Sequence, residues 1–276
     1  MSAHALDSPL WPRWAVMWAL AAAIFGACKT LTWLRTPAPG ASRGRQFAYL
    51  FLWPGLDAAA FLSPIPLARA RRPSTAEWLF AGVKTALGAA LVWGAAPLVP
   101  ESCPLLCGWV GMTGLMFLLH FGSFHLVSCA WRAAGIDAKP LMNWPVRSTS
   151  LSEFWGKRWN TAFRDLTHRF LFVPLAHGLG PRTGLAAGFL FSGVVHDLVI
   201  SGPAGGGYGL PTLYFAAQGL GLLAERSRVG RRCGLGRGTV GWAFTVLVVA
   251  GPALALFHEP FVTRIVLPFL GALGAY

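Results

Sequence analysis

The sequence predicts an all-α, polytopic transmembrane protein of about seven to nine membrane segments, with one amphipathic helix lying in the interface. Three observations carry this. Hydrophobic residues make up 55% of the 276 positions and charged residues 12%, at a mean hydropathy of +0.53; a soluble domain carries about 25% charge. Thirteen Trp supply the aromatics that settle where membrane meets water. Finally, the net charge of +13 comes from Lys and Arg in short loops between apolar runs. That is the positive-inside pattern, and it argues against a nucleic-acid-binding domain. An anionic ligand on the same side is compatible with it.

Runs long enough to cross ~30 Å of hydrocarbon occur at Trp14–Leu34, Glu77–Val99, Pro104–Ala130, Thr183–Ser201, Leu210–Glu225, Thr239–Phe257 and Pro260–Ala275. The N-terminus places Trp11, Pro12 and Arg13 before a long apolar run. It reads as a retained first span, because the apolar core of a cleaved leader is shorter. Phe47–Leu67 is also apolar but holds Pro54, Asp57, Pro64 and Pro66. Proline removes helix hydrogen bonds, so this segment is expected to be broken or re-entrant. Arg35, Arg43 and Arg45, then Arg69, Arg71 and Arg72, then Arg132, Lys139 and Arg147, and the loop Glu225–Arg237 fall on one side if Phe47–Leu67 returns to its own side. The expected topology puts these basic loops in the cytoplasm and the N-terminus outside. The expected location is a multi-pass integral protein of a bacterial inner membrane. No repeat divides the chain, so 1–276 reads as one domain with its motif core at 150–201.

The segment from Ser150 to Pro174 differs from the rest. Ser150 and Glu153 have capping-box spacing. Trp155, Trp159, Ala162, Phe163, Leu166 and Phe170 then follow the spacing of one apolar helical face. Lys157, Arg158, Arg164, Asp165, His168 and Arg169 occupy the other, with Glu153–Lys157 and Asp165–Arg169 as i, i+4 pairs. A helix of this kind lies in an interface. Asn160 falls at the edge of its apolar face, about 110° from the centre. It could serve as a polar group that orients a reacting atom or as an interface amide bonded to water.

His196 lies in Gly188-Phe-Leu-Phe-Ser-Gly-Val-Val-His196-Asp197, within an apolar run. Counting back by fours places Ser192, Gly188 and Gly184 on its helical face. Small residues there allow close helix packing, or leave space for a substrate beside the imidazole. An ionisable group at membrane depth is a candidate functional site; the alternative is a buried histidine bonded to a neighbouring helix. As a base, an imidazole can take a proton from a hydroxyl as the oxygen attacks a carbonyl. Asp197 is about 100° further round, placed to orient a neighbouring group or to pair with a loop cation.

Other chemistries lack support. There is no Gly-x-Ser-x-Gly elbow, and Gly205-Gly-Gly207 lacks the Lys-Ser/Thr of a phosphate loop. His120 and His125 are five apart, which is wrong for two metal ligands on one helical face, so no metal is expected. His4, His168, His177 and His258 read as peripheral. Asp57 is the one further carboxylate expected at depth. Cys28, Cys103, Cys107, Cys129 and Cys233 have neither zinc nor redox spacing and read mostly as small core residues.

Ser150-Leu-Ser-Glu-Phe-Trp-Gly-Lys-Arg-Trp-Asn160 together with Phe191-Ser-Gly-Val-Val-His196-Asp197 resembles the membrane-bound O-acyltransferases, and within them the wax synthase branch. Pro54-Gly-Leu-Asp57 also resembles a segment of that branch. The resemblance implies helices enclosing a chamber, and acyl transfer from acyl-CoA to a hydroxyl acceptor. It implies that His196 is the catalytic base and Asn160 a second active-site residue. Asp197 stands where Glu is more usual, and the chain is shorter than many members. The candidate substrate-binding set is Trp155, Lys157, Arg158, Trp159, Ser192 and Asp197. The expected partners are acyl-CoA as co-substrate, a lipid alcohol and membrane lipids, with no cofactor. Lys157, Arg158 and Arg164 suit either CoA phosphates or lipid phosphates. The competing reading is a transporter or lipid-binding protein in which His196 is proton-linked or structural.

Overall fold

The computed structural model describes residues 11–38, 40–63 and 72–276. Among these the chain is helical throughout, with no strand. Arg13–Leu34, Thr75–Leu98, Pro104–Ala133, Pro181–Ala204 and Gly238–Leu256 are long and apolar enough to cross a membrane. Two other predicted runs are shorter as helices. Leu210–Arg226 has 17 residues, about 26 Å: Gly209 at φ 83° and Pro211 fix its start, and Ser227 turns extended to cap the next short helix. The last run is interrupted, as Glu259–Phe261, a π turn Val262–Val266 and Leu267–Ala272. By length alone, five described helices reach the crossing distance, against the seven to nine segments expected.

The Phe47–Leu67 segment is broken, as its prolines require. A helix Arg43–Leu52 gives way at Trp53–Asp57 to a short helix Ala58–Leu62 capped by Asp57. Lys29, buried in the first helix, secures the break by donating to the Gly55 carbonyl, with its ammonium 3.5 Å from the Tyr49 ring centroid. Pro64, Pro66, Arg69 and Arg71 lie outside the described residues. Asp57 is exposed, contrary to the expected deep carboxylate. Its side chain accepts from the Ala60 N–H, and that capping role keeps it at the surface.

Hydrogen bonds gather the cation-rich loops at one end of the bundle. Arg169 donates to the Arg35 carbonyl at 2.9 Å, Trp242 to the Val146 carbonyl at 2.8 Å, and Arg132 to Glu77 at 2.5 Å. At the opposite end Arg13 and Arg264 both donate to the Ala204 carbonyl. They satisfy and neutralise the C-terminus of the Pro181–Ala204 helix.

Ser150–Pro174 is not one helix. Ser150 caps Glu153 N–H as the spacing predicts, but the helix widens into a π turn at Phe154–Arg158 and stops. The loop before it competes for its backbone: Asn143 N–H donates to the Arg158 carbonyl and Thr161 N–H to the Leu141 carbonyl. Trp159 becomes extended and Asn160 left-handed at φ 38°, a conformation Asn tolerates. A new helix, Thr161–Thr167, starts there. The predicted single apolar face is therefore split. Both expected i, i+4 pairs are replaced: Glu153 bonds Arg158 at 2.6 Å, and Asp165 bonds Arg164 at 2.9 Å. Backbone and Arg158 hydrogen bonds hold the Glu153 carboxyl below its ordinary range, the Thr149 N–H contributing most.

Two apolar clusters flank this segment. One centres on Ile200, Phe215, Ile265 and Leu270, with Trp155 and Phe189 packed against it. The other centres on Tyr49, Phe61, Leu62 and Leu166, with Phe163 against it.

Candidate active site

A cavity of about 390 Å3 lies between the two clusters. Its walls come from the broken motif segment and from the helices Pro181–Ala204 and Leu210–Arg226. Gly184, Gly188, Ser192 and His196 form one wall at the four-residue spacing of a helical face. The facing helix contributes Phe215, Leu222 and Arg226.

His196 Nδ1 is 2.7 Å from the Ser192 carbonyl. A carbonyl can only accept, so Nδ1 carries the proton and Nε2 holds a lone pair. No described residue bonds Nε2. The ring packs on Phe215 with centroids 4.4 Å apart, which fixes its plane against an apolar surface.

The break in the motif segment brings Asn160 to the same cavity. Its Oδ1 accepts from Phe163 N–H at 3.3 Å, so the amide NH2 faces away from the cap, with no partner among the described residues. Trp155 is set by a hydrogen bond to Gln218 at 3.3 Å, and fully buried Gln218 is held in turn by the Val248 carbonyl at 2.7 Å. Trp159 stacks on Phe154 at 5.5 Å.

Trp155, Trp159, Asn160, Ser192 and His196 thus share one cavity; Lys157, Arg158 and Asp197 do not line it. Lys157 faces a larger, polar cavity of about 860 Å3 that shares Gly156 and Arg164 with the first. Arg158 is tied to Glu153 and to the carbonyls of Asn143 and Trp144. Asp197 Oδ2 accepts from Gly209 N–H at 2.7 Å and Thr212 Oγ1 at 3.0 Å, capping the next helix where its dipole favours an anion.

Two histidines depart from expectation. His168 lines the cavity, because the helix resets at Asn160. His258 is 3% exposed: its Nδ1 accepts from Phe261 N–H, and its Nε2–H donates to Ser201 Oγ. Of the cysteines, Cys107 and Cys129 are buried and Cys28 half-buried, while Cys103 and Cys233 are exposed in loops.

Sequence reasoning missed Glu225 and Arg226, where the periodic pattern carried no signal. Buried Glu225 accepts from Leu151 N–H, Ser152 N–H and Ser152 Oγ, pinning the motif segment to the helix that carries Phe215. Arg226 donates to the same Ser152 hydroxyl at 3.2 Å. Also missed was a cluster of Glu77, His125 and Cys129, whose ligand atoms lie within 4.8 Å of one another. Arg132 bonds Glu77, and Lys84 donates to His125 Nδ1 at 2.8 Å. Two cations at those ligand atoms make an ion-pair network the better reading than a metal centre.

Residues 138–215 match the Membrane bound O-acyl transferase family. That match covers 78 of the chain's 276 residues. The matched stretch contains every residue of the smaller cavity except Leu222 and Arg226. With its apolar helices, it makes the chain an integral membrane protein. Curated proteins from Arabidopsis thaliana are also similar to parts of the chain. One, a probable long-chain-alcohol O-fatty-acyltransferase 7, is 30% identical over 139 residues, 45% of this chain and 40% of the relative. Another, a probable long-chain-alcohol O-fatty-acyltransferase 3, is 34% identical over 102 residues, 30% of each chain. The matches thus span less than half the length of these relatives. No solved structure matches the chain.

Proposed function

We propose that the protein is an acyl-CoA-dependent O-acyltransferase that esterifies a long-chain alcohol, with His196 as general base. The observation that carries this is the His196 tautomer. Its Nδ1 proton is committed to the Ser192 carbonyl, so Nε2 presents a lone pair in an apolar cavity. The names of the plant relatives support the alcohol as acceptor.

In this reading the alcohol O–H gives its proton to Nε2 while the oxygen attacks the thioester carbonyl. The tetrahedral oxyanion collapses, the C–S bond breaks, and the imidazolium proton goes to the departing CoA thiolate. No covalent enzyme intermediate is required. The Asn160 NH2, free because Oδ1 caps Phe163, is the donor proposed for the oxyanion. Trp155, Trp159 and Ser192 wall the reacting groups and keep water out, which limits hydrolysis.

The CoA head is proposed to approach along the Lys157 side of the larger cavity. Lys157 and Lys139 line it beside Asp57, Glu77, Asp137 and Asp165, with Lys139 paired to Asp137, and Arg164, paired to Asp165, stands where it meets the catalytic cavity. Arg226 stands on the catalytic cavity's own wall. These cations match phosphate groups. The basic end of the bundle is proposed to face the cytoplasm, the side from which acyl-CoA arrives. Arg158 and Asp197 then act through others, by holding the motif turn and the neighbouring helix.

The test is thiol release from long-chain acyl-CoA by purified protein, with and without a fatty alcohol, beside His196→Ala. Alcohol-dependent thiol release with ester formation, lost in the variant, is expected. Equal turnover by His196→Ala overturns the base assignment. No turnover by folded wild type with any alcohol overturns the enzyme reading in favour of lipid transport or binding.

A further inference from the structure

The helix Gly238–Ala250 ends against Pro252. In a continuing helix the N–H of residue 252 would donate to the Val248 carbonyl, and proline has none to give. A carbonyl left in the interior needs another donor. Gln218, on the neighbouring helix Leu210–Arg226, supplies it: its Nε2 donates to the Val248 carbonyl at 2.7 Å. Four residues earlier on the same helical face, the Tyr214 hydroxyl donates to the Val249 carbonyl at 3.1 Å. Two side chains of one helix thus serve the same helix end.

Gln218 also reaches toward the catalytic cavity. A carbonyl only accepts, so the Gln218 NH2 is committed to Val248 and its Oε1 is turned to Trp155, whose indole N–H donates to it at 3.3 Å. Gln218 is fully buried, while Trp155 lines the cavity. The Trp155 ring packs against Phe189 and Phe215, each with centroids 5.8 Å away, and Phe215 carries the His196 ring at 4.4 Å. Without Gln218 the indole N–H loses its buried acceptor, a loss that destabilises the ring's position unless water replaces the partner. The open space beside the ring is the cavity itself, so the N–H would turn there and bring water with it.

We propose that Gln218 is a positioning residue that holds the Trp155 indole dry, and so sets how much of the acyl group passes to alcohol rather than to water. The inference rests on the acyltransferase reading and adds to it a residue outside both cavities and beyond residues 138–215. Alcohol attacking the thioester carbonyl gives an ester and the CoA thiol; water attacking the same carbon gives a fatty acid and the same thiol. Tyr214 supports the same helix end, but its hydroxyl is bonded to Val249 and not to a cavity residue. It therefore separates support of that helix from support of the ring.

The test follows palmitoyl-CoA in the presence of hexadecan-1-ol, as the ratio of free palmitate to hexadecyl palmitate, with the full chain in nanodiscs. Only active molecules set this ratio, so a smaller folded fraction does not move it. Gln218→Leu is expected to raise the ratio about three- to tenfold over wild type, the weight of one ordinary hydrogen bond. Tyr214→Phe strips the donor from the adjacent carbonyl; it should lower thermal stability and leave the ratio unchanged. Gln218→Glu, assayed near pH 6, should keep the ratio close to wild type, because a buried carboxyl is neutral there and offers the same donor and acceptor. A second readout needs no turnover: hydrogen exchange at the Trp155 indole N–H, followed by NMR on protein with isotope-labelled tryptophan and assigned with Trp155→Phe. That proton should be protected in wild type and in Tyr214→Phe, and exchange readily in Gln218→Leu. An unchanged ratio or unchanged exchange in Gln218→Leu overturns the proposal, and so does an equal rise in the ratio in Tyr214→Phe or Gln218→Glu. A wild type that makes no ester overturns the acyltransferase reading instead, and indole exchange still decides whether Gln218 holds Trp155.

Discussion

Glu225 offers the sharpest test of how the site is assembled. It is 5% exposed, and its carboxylate accepts from Leu151 N–H at 2.5 Å, Ser152 N–H at 3.3 Å and Ser152 Oγ at 2.7 Å. Glu225→Ala leaves two backbone donors without their acceptor, beside a fully buried Leu151. Each unsatisfied buried donor costs about 1–3 kcal/mol. Half-buried Ser152 can recover part of this from water, so a total of about 2–4 kcal/mol is expected. At about 2–4 °C per kcal/mol for a chain of this size, that is on the order of 5–15 °C in Tm. Glu225→Gln should help little, since its NH2 group cannot accept from the donor it faces. The assay is thermal unfolding of detergent-solubilised protein, with acyl transfer measured well below the transition. Ser152→Ala tests the coupling, because the loss in the double variant should fall short of the sum. A Tm within about 2 °C of wild type, with unchanged turnover, would refute the claim that Glu225 pins the motif segment.

Other expectations follow from the same geometry. Asn160→Gly should keep the left-handed turn and the stability to within about 1 kcal/mol while losing acyl transfer; Asn160→Ala should lose both, and an active Gly variant would remove the amide from the mechanism. Gly193→Val drives a side chain into the Thr212 backbone and should destabilise by about 1–3 kcal/mol, read from the midpoint of chemical unfolding. Burial pushes the His258 pKa below its ordinary 6.5, so the fold binds the neutral ring. Stability from this residue is therefore complete above the ordinary imidazole range and is lost as pH falls below it. Tm measured between pH 8 and pH 5 should drop less steeply in His258→Gln than in wild type.

The helical periodicity at His196 was legible because a uniform helix makes spacing into position: Gly184, Gly188, Ser192 and His196 do share one wall. The same rule misled at Asn160. There Leu141 and Asn143, nearly twenty residues upstream, take the backbone hydrogen bonds that a continuous helix needs, and no local pattern announces such a competitor. The capping box at Ser150 is a contact between near neighbours and was readable. The Glu225 contact with Leu151 spans 74 residues and was not. Proline predicted the break at Trp53–Asp57, but the buried lysine that secures it comes from another helix. Peripheral placement of His258 failed for a related reason: its partner Ser201, itself bonded to the Gly207 carbonyl, lies 57 residues earlier.

The paired guanidinium groups on the Ala204 carbonyl also constrain the order in which the molecule can be made. One comes from 191 residues before that carbonyl and the other from 60 residues after it. During synthesis the helix bearing His196 leaves the ribosome with its far end still lacking the second guanidinium. That end acquires both only when the final helical run has emerged and docked. Contacts of such long separation form slowly. Nascent chains stalled just short of Arg264 should therefore hold the motif region in a looser, protease-sensitive state than chains stalled beyond it.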